Sequence, residues 1–307
     1  MNMSDILRLQ GLRGTLRTGE PMARHVSWRA GGAAARFYAP ADLEDLQAFL
    51  AQLPPQEPLL FVGLGSNLLV RDGGFAGTVV LTHAAGRHPG MIAGHLYAEA
   101  GVASPKVARF AARQDLAGAE FLAGVPGTVG GALAMNAGCY GGETWEIVER
   151  AVTVDRRGQL RTRGRDEFEI GYRHCALRGP GRLGEDEWFA GAWFALPRGD
   201  GAASRLRIRE FLERRIATQP LSLPNAGSVF RNPPGDHAAR LIESCGLKGL
   251  ARGGASVSDK HANFIVNAGR RASAADIEGL IAEVRRRVAE RTSIELVPEV
   301  RIVGEAA

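Results

Sequence analysis

Between Gly118 and Gly142 this 307-residue chain sets eight glycines into an otherwise apolar stretch. A glycine inside a helix or strand costs roughly 0.5–1 kcal/mol relative to alanine. The run Gly124-Val125-Pro126-Gly127-Thr128-Val129-Gly130-Gly131, continuing to Asn136-Ala137-Gly138, is therefore a poor packed element. Main chain stripped of side chains can approach a bulky ligand closely, and we prefer that reading to an irregular buried loop. Two further loops share this character. Gly63-Leu64-Gly65-Ser66-Asn67 lies between the apolar runs 59–62 and 68–70. Positive φ at its glycines lets successive N–H groups face one concavity and hold phosphate. Taken alone it reads as a tight strand turn, and no G-x-G-x-x-G leading into a helix is present, which disfavours a Rossmann site. Asn225-Ala226-Gly227-Ser228-Val229-Phe230-Arg231-Asn232-Pro233 can offer a hydroxyl and donors to an anion, and fits an ordinary turn equally well. It holds no G-x-S-x-G elbow, so a hydrolase nucleophile is disfavoured. Asparagine tolerates left-handed backbone, and Asn67, Asn136, Asn225, Asn232 and Asn267 all lie in or beside glycine-containing loops.

Periodicity places regular elements around these loops. Residues 34–39 read as a strand, followed by a helix with Leu43, Leu46, Phe49 and Leu50 on one face. Short strands are predicted over 59–62, 68–70 and 78–81. Ser104-Pro105 supplies an N-cap and first-turn proline for a helix to about Gln114. Asp155-Arg156-Arg157-Gly158 is a hairpin turn between 151–154 and 159–162, and 188–196 is a strand. A polar linker at 197–203 precedes a helix over 204–217. The last third predicts a helix after Asp236, a strand around 264–267, a helix from Ser273 with Asp276 completing a capping-box-like start, and a terminal strand over 294–303. An acid on such a strand, here Glu299, ordinarily faces solvent.

Composition sets the class. Hydrophobic residues make up 45% and charged residues 23%, as in a globular protein with a buried core. No apolar run approaches the roughly 20 residues that span a bilayer, and residues 1–20 lack the apolar core of a signal peptide. The expected location is the cytoplasm, with no membrane insertion. Cys139, Cys175 and Cys245 are odd in number and widely spaced, forming neither a disulfide framework nor a metal site. The net charge of +5 invites a nucleic-acid reading. Yet of the 38 basic residues only Lys106, Lys248 and Lys260 are lysines, and the arginines are scattered among acids. The tight run Arg285-Arg286-Arg287 shares its helix with Asp276, Glu278, Glu283 and Glu290, which suits a solvated face. Anionic small molecules suit this charge as well as RNA does.

Taken together, the chain resembles the UDP-N-acetylenolpyruvoylglucosamine reductase family. The resemblance begins at Ser27-Trp28-Arg29-Ala30-Gly31-Gly32 and the Gly63–Asn67 loop. It continues through Gly124–Gly142, Gly171-Tyr172-Arg173, Gln219–Pro233, Gly246-Leu247-Lys248-Gly249, Ser258–Asn267 and Pro298-Glu299-Val300, in the family's order. It implies an α+β fold. Residues 1–200 would be an FAD-binding half of two α+β subdomains of the vanillyl-alcohol oxidase type, split near residues 82–90. Residues 201–307 would be a C-terminal α+β substrate domain, as in the family's compact subtype. It also implies non-covalent FAD, reduced by NADPH, which in turn reduces the enolpyruvyl group of a UDP-sugar in the same pocket.

By the match, Gly63, Gly65, Ser66, Asn67, Gly124, Gly127, Thr128, Gly130, Gly131, Asn136 and Gly138 face the cofactor. Tyr172, Arg231, Asn232 and Lys248 face the UDP-sugar. Arg173 and Glu299 stabilise the enolate, and Ser228 donates the proton to carbon. Cys175 stands where serine is usual, Arg231 where lysine is common, and Cys139 where a small residue is common. Cys175 thereby raises the expectation of an oxidation-sensitive site. The competing classes are another flavin oxidase or dehydrogenase of the same FAD-binding type, and a nucleotide- or RNA-binding module without redox chemistry. The first does not account for the setting of Ser228 and Glu299. The second would want basic patches interleaved with aromatics, which the sequence lacks.

Overall fold

The computed structural model describes residues 10–84 and 86–307. Residues 1–9, part of the segment expected to lack a leader, and Ala85, inside the expected 82–90 split, lie outside the described residues.

The chain first builds a four-stranded sheet in the order Thr15–Pro21, Ala33–Ala39, Phe75–Leu81, Leu59–Val62. The first pair is antiparallel and the other two are parallel. Helix α1, Leu43–Ala51, links the second strand to Leu59–Val62. Asp42 caps it by accepting from the Asp45 N–H at 2.9 Å. Its apolar face packs Leu46, Phe49 and Leu50 against Tyr38, Val80 and Trp188.

A second unit has a five-stranded antiparallel sheet, ordered Leu160–Gly164, Val148–Asp155, Glu187–Phe194, His95–Glu99, Gly90–Ile92. Helices α2, Ser104–Arg113, and α3, Val129–Ala134, feed its core. Ala103, not Ser104, is the N-cap of α2. The Ser104 N–H donates to the Gly127 carbonyl at 3.1 Å, so the helix start is set by the glycine loop rather than by a side-chain cap.

Helix α4, Gly201–Thr218, begins three residues earlier than expected, because Asp200 caps it through Ala202 and Ala203 N–H. It packs on the second unit. Ile208 joins that core, and the Ser204 hydroxyl donates to buried Glu120 at 2.5 Å. The chain thus leaves this core at Gln219, whereas the sequence suggests a boundary near residue 200.

The last unit has a small sheet of Ala251–Arg252, Ala255–Val257 and Ile265–Val266 with helices α5, Ala238–Ser244, and α6, Ala274–Thr292. The capping box at Ser273 and Asp276 forms as the sequence predicts. This unit shares one core with the first. Trp28, Ala30 and Leu69 pack among Ile277, Leu280 and Val284. The Trp28 indole donates to the Ile265 carbonyl at 2.8 Å, and Asn267 donates back to the Trp28 carbonyl at 3.0 Å. Asp72 caps α6 from outside, accepting from Ala274 and Ala275 N–H. Arg71 makes a forked pair with Glu278 at 2.8 and 2.9 Å.

The terminal segment does not form one strand over 294–303. Strand geometry is confined to Arg301–Val303, parallel to Leu68–Val70. Proline at 298 lacks the ladder donor, and the chain changes partner there: Val297 and Glu299 bond the 229–231 loop, while residues 301–303 bond the first unit.

Candidate active site

A cleft of about 670 Å³ opens where the three units meet. That is within the roughly 300–1,000 Å³ of small-molecule sites. Its walls include Gly63, Gly65, Ser66, Asn67, Gly124, Gly127, Thr128, Gly130, Gly131 and Gly138, the cofactor-facing residues expected from the sequence with the exception of Asn136. The two glycine loops interlock. Gly127 has φ +104°, and a Cβ there would come within 2.7 Å of the Ser66 hydroxyl. Gly65 has φ +60°, and its carbonyl accepts from the Ser27 N–H at 3.0 Å. Gly131 is different: a Cβ there meets nothing within 4 Å and would project into the open cleft. Among the described residues, no acceptor is found for the N–H groups of Leu64 to Asn67. Bare main chain with free donors, around a cavity of this size, fits a phosphate-bearing cofactor such as FAD.

Arg173, Glu299 and Ser228 all line this cleft. Arg173 sits in the turn of the hairpin Phe168–Gly171 and His174–Leu177, with φ +54°. Its guanidinium donates to the Gly138 carbonyl at 2.9 Å and the Asn136 carbonyl at 3.4 Å. Its Nε lies 3.0 Å from Glu299 Oε1. That N–H is not aligned on the oxygen and has no hydrogen-bond partner, so the two groups lie close together without a directed bond. Burial pushes the Glu299 carboxyl above the ordinary glutamate range, and the nearby Arg173 and Arg231 only partly offset it. Main chain fixes Glu299 on both sides: its N–H donates to the Val229 carbonyl at 2.7 Å, and its carbonyl accepts from Asn67 at 3.1 Å. Arg231 N–H bonds the Val297 carbonyl at 2.9 Å, so the Ser228 loop and the Glu299 segment are held in register. Asn263 grips Phe230 through both its N–H and its carbonyl, at 3.0 and 2.8 Å. Gly227, with φ +75°, leaves its Cβ position open beside Ser228.

The residues expected to face the UDP-sugar are not all brought together. Arg231 lines the cleft, with a buried Nε that has no hydrogen-bond partner among the described residues. Lys248 is outside the lining and pairs with Glu243 at 2.6 Å. Asn232 is also outside and accepts from the Ala238 N–H at 3.1 Å, at the start of α5. Tyr172 is 48% exposed and lies under the Arg173 guanidinium, 5.0 Å from ring centroid to Cζ. Asn136 is buried behind the wall. Sequence reasoning missed Arg215, in the last turn of α4, which lines the cleft and donates to Gln219 at 2.9 Å. Burial lowers its pKa, and no carboxylate pairs with it among the described residues. Nothing in the sequence around Arg215 marks it, since six arginines fall between 198 and 215. Cys139 and Cys175 line the cleft, but burial pushes their thiols up to about 11 and about 12. A raised thiol pKa disfavours the reactive thiolate.

Comparisons with known proteins agree with this geometry. A family model described as the C-terminal domain of UDP-N-acetylenolpyruvoylglucosamine reductase matches residues 219–303, and an FAD binding domain model matches residues 34–164. The chain is 59% identical over 308 residues to UDP-N-acetylenolpyruvoylglucosamine reductase of Thiobacillus denitrificans, covering 96% of this chain and 94% of that one. It is 60% identical over 299 residues to the reductase of that name from Methylococcus capsulatus, covering 96% and 95%. The crystal structure of the Thermus caldophilus UDP-N-acetylenolpyruvylglucosamine reductase superposes with a TM-score of 0.77 at 32% identity, over 95% of this chain and 99% of that one. With glycine-lined walls, a half-buried arginine–glutamate pair and relatives alike from end to end, the chain belongs to the UDP-N-acetylenolpyruvoylglucosamine reductase family.

Proposed function

We infer that this chain is an FAD-dependent oxidoreductase that uses NADPH to reduce UDP-N-acetylglucosamine enolpyruvate to UDP-N-acetylmuramate, a step in making peptidoglycan precursors. The observation that carries the assignment of residues is the convergence of Ser228, Arg173 and Glu299 on one cleft walled by the glycine loops. Gly63–Asn67 and Gly127–Gly131 would hold FAD, which when bound supplies the hydride chemistry.

Hydride addition at the terminal enolpyruvyl carbon leaves an enolate continuous with the substrate's carboxylate. Preorganised charge and donors lower the energy of such an anion most where water is excluded. Arg173, fixed by two carbonyls, presents a cation whose Nε–H, close to Glu299, makes no directed hydrogen bond. Glu299, its carboxyl raised by burial, can keep a proton and donate it as a hydrogen bond rather than repel the anion. Ser228 gives its hydroxyl proton to the carbon next to the carboxylate and regains one from solvent. A serine is a weak acid, so this works only against a strongly basic enolate and from a held position. The register of its loop with Val297–Glu299 supplies that hold. Arg231, with its Nε unpartnered, suits the anionic parts of the UDP-sugar. No helix among the described residues is long and apolar enough to cross a membrane. A cytoplasmic location matches the supply of NADPH and nucleotide sugar.

Rapid mixing of holoenzyme separates flavin reduction by NADPH from flavin reoxidation by the UDP-sugar. Ser228→Ala should leave the first near wild type and slow the second by about 100-fold or more. Equal slowing of both would refute the proton-donor role.

A further inference from the structure

Arg173 is held in a conformation that its local chain does not favour. It has positive φ, in the turn of a hairpin that pairs only four residues on each side. Its strands pack on the second unit's core through Phe168, Ile170 and Leu177, whereas its turn, with Tyr172 exposed, needs a hold of its own. We propose that Asn136 is a positioning residue that fixes the Arg173 turn for reduction of the UDP-sugar. The inference rests on the role given to Arg173 above.

Asn136 is 2% exposed and grips the hairpin at two points. Its Nδ2 donates to the carbonyl of Gly171, the residue that closes the turn opposite His174, at 3.1 Å. Its own carbonyl accepts from the Arg173 guanidinium at 3.4 Å, and the carbonyl of Gly138, two residues on, accepts at 2.9 Å. The other half of its amide is anchored in the second unit. Oδ1 accepts from the Trp145 N–H at 3.1 Å, and Nδ2 also donates to Glu143 at 2.8 Å. Trp145 is 1% exposed, bonds the Leu133 carbonyl through its indole, and packs on Phe168 at the start of the same hairpin.

These partners fix the orientation of the amide. Turned over, its oxygen would face the Gly171 carbonyl and the Glu143 carboxylate, and its NH₂ would face the Trp145 N–H. Only an amide meets all three partners. Aspartate lacks the donors, and leucine lacks everything. The positive φ of Asn136, +40°, turns its carbonyl toward Arg173 and suits asparagine or glycine. One side chain therefore couples the core around Trp145 to the main chain of the turn, while its own backbone receives the functional guanidinium. Asn136 touches neither the cleft nor the reacting atoms, so it acts through Arg173.

The test uses holoenzymes carrying Asn136→Gly, Arg173→Ala, and both together. Asn136→Gly keeps the backbone conformation and removes the grip on Gly171. Asn136→Asp serves as a second variant that retains the Trp145 bond should the glycine variant not fold. Both half-reactions are measured by rapid mixing. A displacement of the guanidinium by about an ångström should slow flavin reoxidation by UDP-N-acetylglucosamine enolpyruvate on the order of 100-fold, with flavin reduction by NADPH unchanged. The double variant should be no slower than Arg173→Ala alone, as two groups acting through one contact are not additive. Additive slowing, or equal slowing of both half-reactions, would overturn the inference. A slow Arg173→Ala enzyme beside Asn136 variants of wild-type rate would refute the Asn136 role alone. An Arg173→Ala enzyme of wild-type rate would refute the role of Arg173 itself, and with it the ground for Asn136.

Discussion

Gly131→Ala should make the protein without its cofactor more stable and the complex with FAD weaker. Gly131 is inside helix α3, with ordinary negative φ, and a Cβ placed there meets no protein atom within 4 Å. Replacing a helical glycine by alanine gains about 1 kcal/mol from the unfolded chain's lost freedom. For a protein of this size that raises Tm on the order of 2 °C. The same methyl projects into the cleft wall. If FAD lies against that wall, an extra methyl costs about 1–3 kcal/mol of overpacking, or roughly a 5- to 150-fold weaker Kd. The assay strips the flavin, follows the melt of the bare protein, and titrates FAD by quenching of its fluorescence. Unchanged FAD affinity would refute the placement of the cofactor on this wall. A lower Tm for the bare protein would refute the claim that the position is open. Gly63 makes the contrast, because a Cβ there would collide with Thr128 and should destabilise the protein with or without FAD.

The raised pKa of Glu299 has a definite sign in kinetics. The carboxyl keeps its proton to higher pH than an ordinary glutamate, so reoxidation of flavin by the UDP-sugar should be fully available below that raised pKa and fall as pH rises through it. Glu299→Gln should abolish this falling limb and spare flavin reduction by NADPH; a limb that persists in the variant would assign it to another group. Trp28→Ala empties a fully buried site and strands the Ile265 carbonyl. It should cost about 3–5 kcal/mol in denaturant unfolding, and a loss within about 0.5 kcal/mol, as for surface positions, would show that the shared core is not a stabilising one.

Local signals in the sequence carried much of the fold. The strands Leu59–Val62 and Leu68–Val70 have the bounds their apolar runs suggest, and the α6 start follows its capping box. The glycine loops were legible because glycine's backbone freedom is written in the residue itself. Ser228, Arg173 and Glu299 were reached through resemblance, since a strand acid and a turn serine have no local mark of function. Other features lie beyond what local pattern encodes. Lys248 pairs with Glu243, five residues away, and Asn232 satisfies a helix start, near partners that a motif match does not reveal. Arg215 reaches the cleft because α4 packs on the second unit through Ile208 and Ser204, a tertiary contact that no periodicity encodes. The terminal strand was overdrawn because apolar spacing cannot show that Pro298 divides one run between two partners.

The bond from the Trp28 indole to Ile265 spans 237 residues of chain. During synthesis the first unit therefore emerges from the ribosome long before the surface that covers Trp28 exists. Its Leu68–Val70 strand likewise waits for Arg301–Val303, far along the chain. Contacts so distant along the chain close slowly, and an unpaired strand edge beside bare apolar surface invites association with other chains in the interval. Closure of the first unit's core is thus a late event, timed by translation of α6 and of the strand Arg301–Val303.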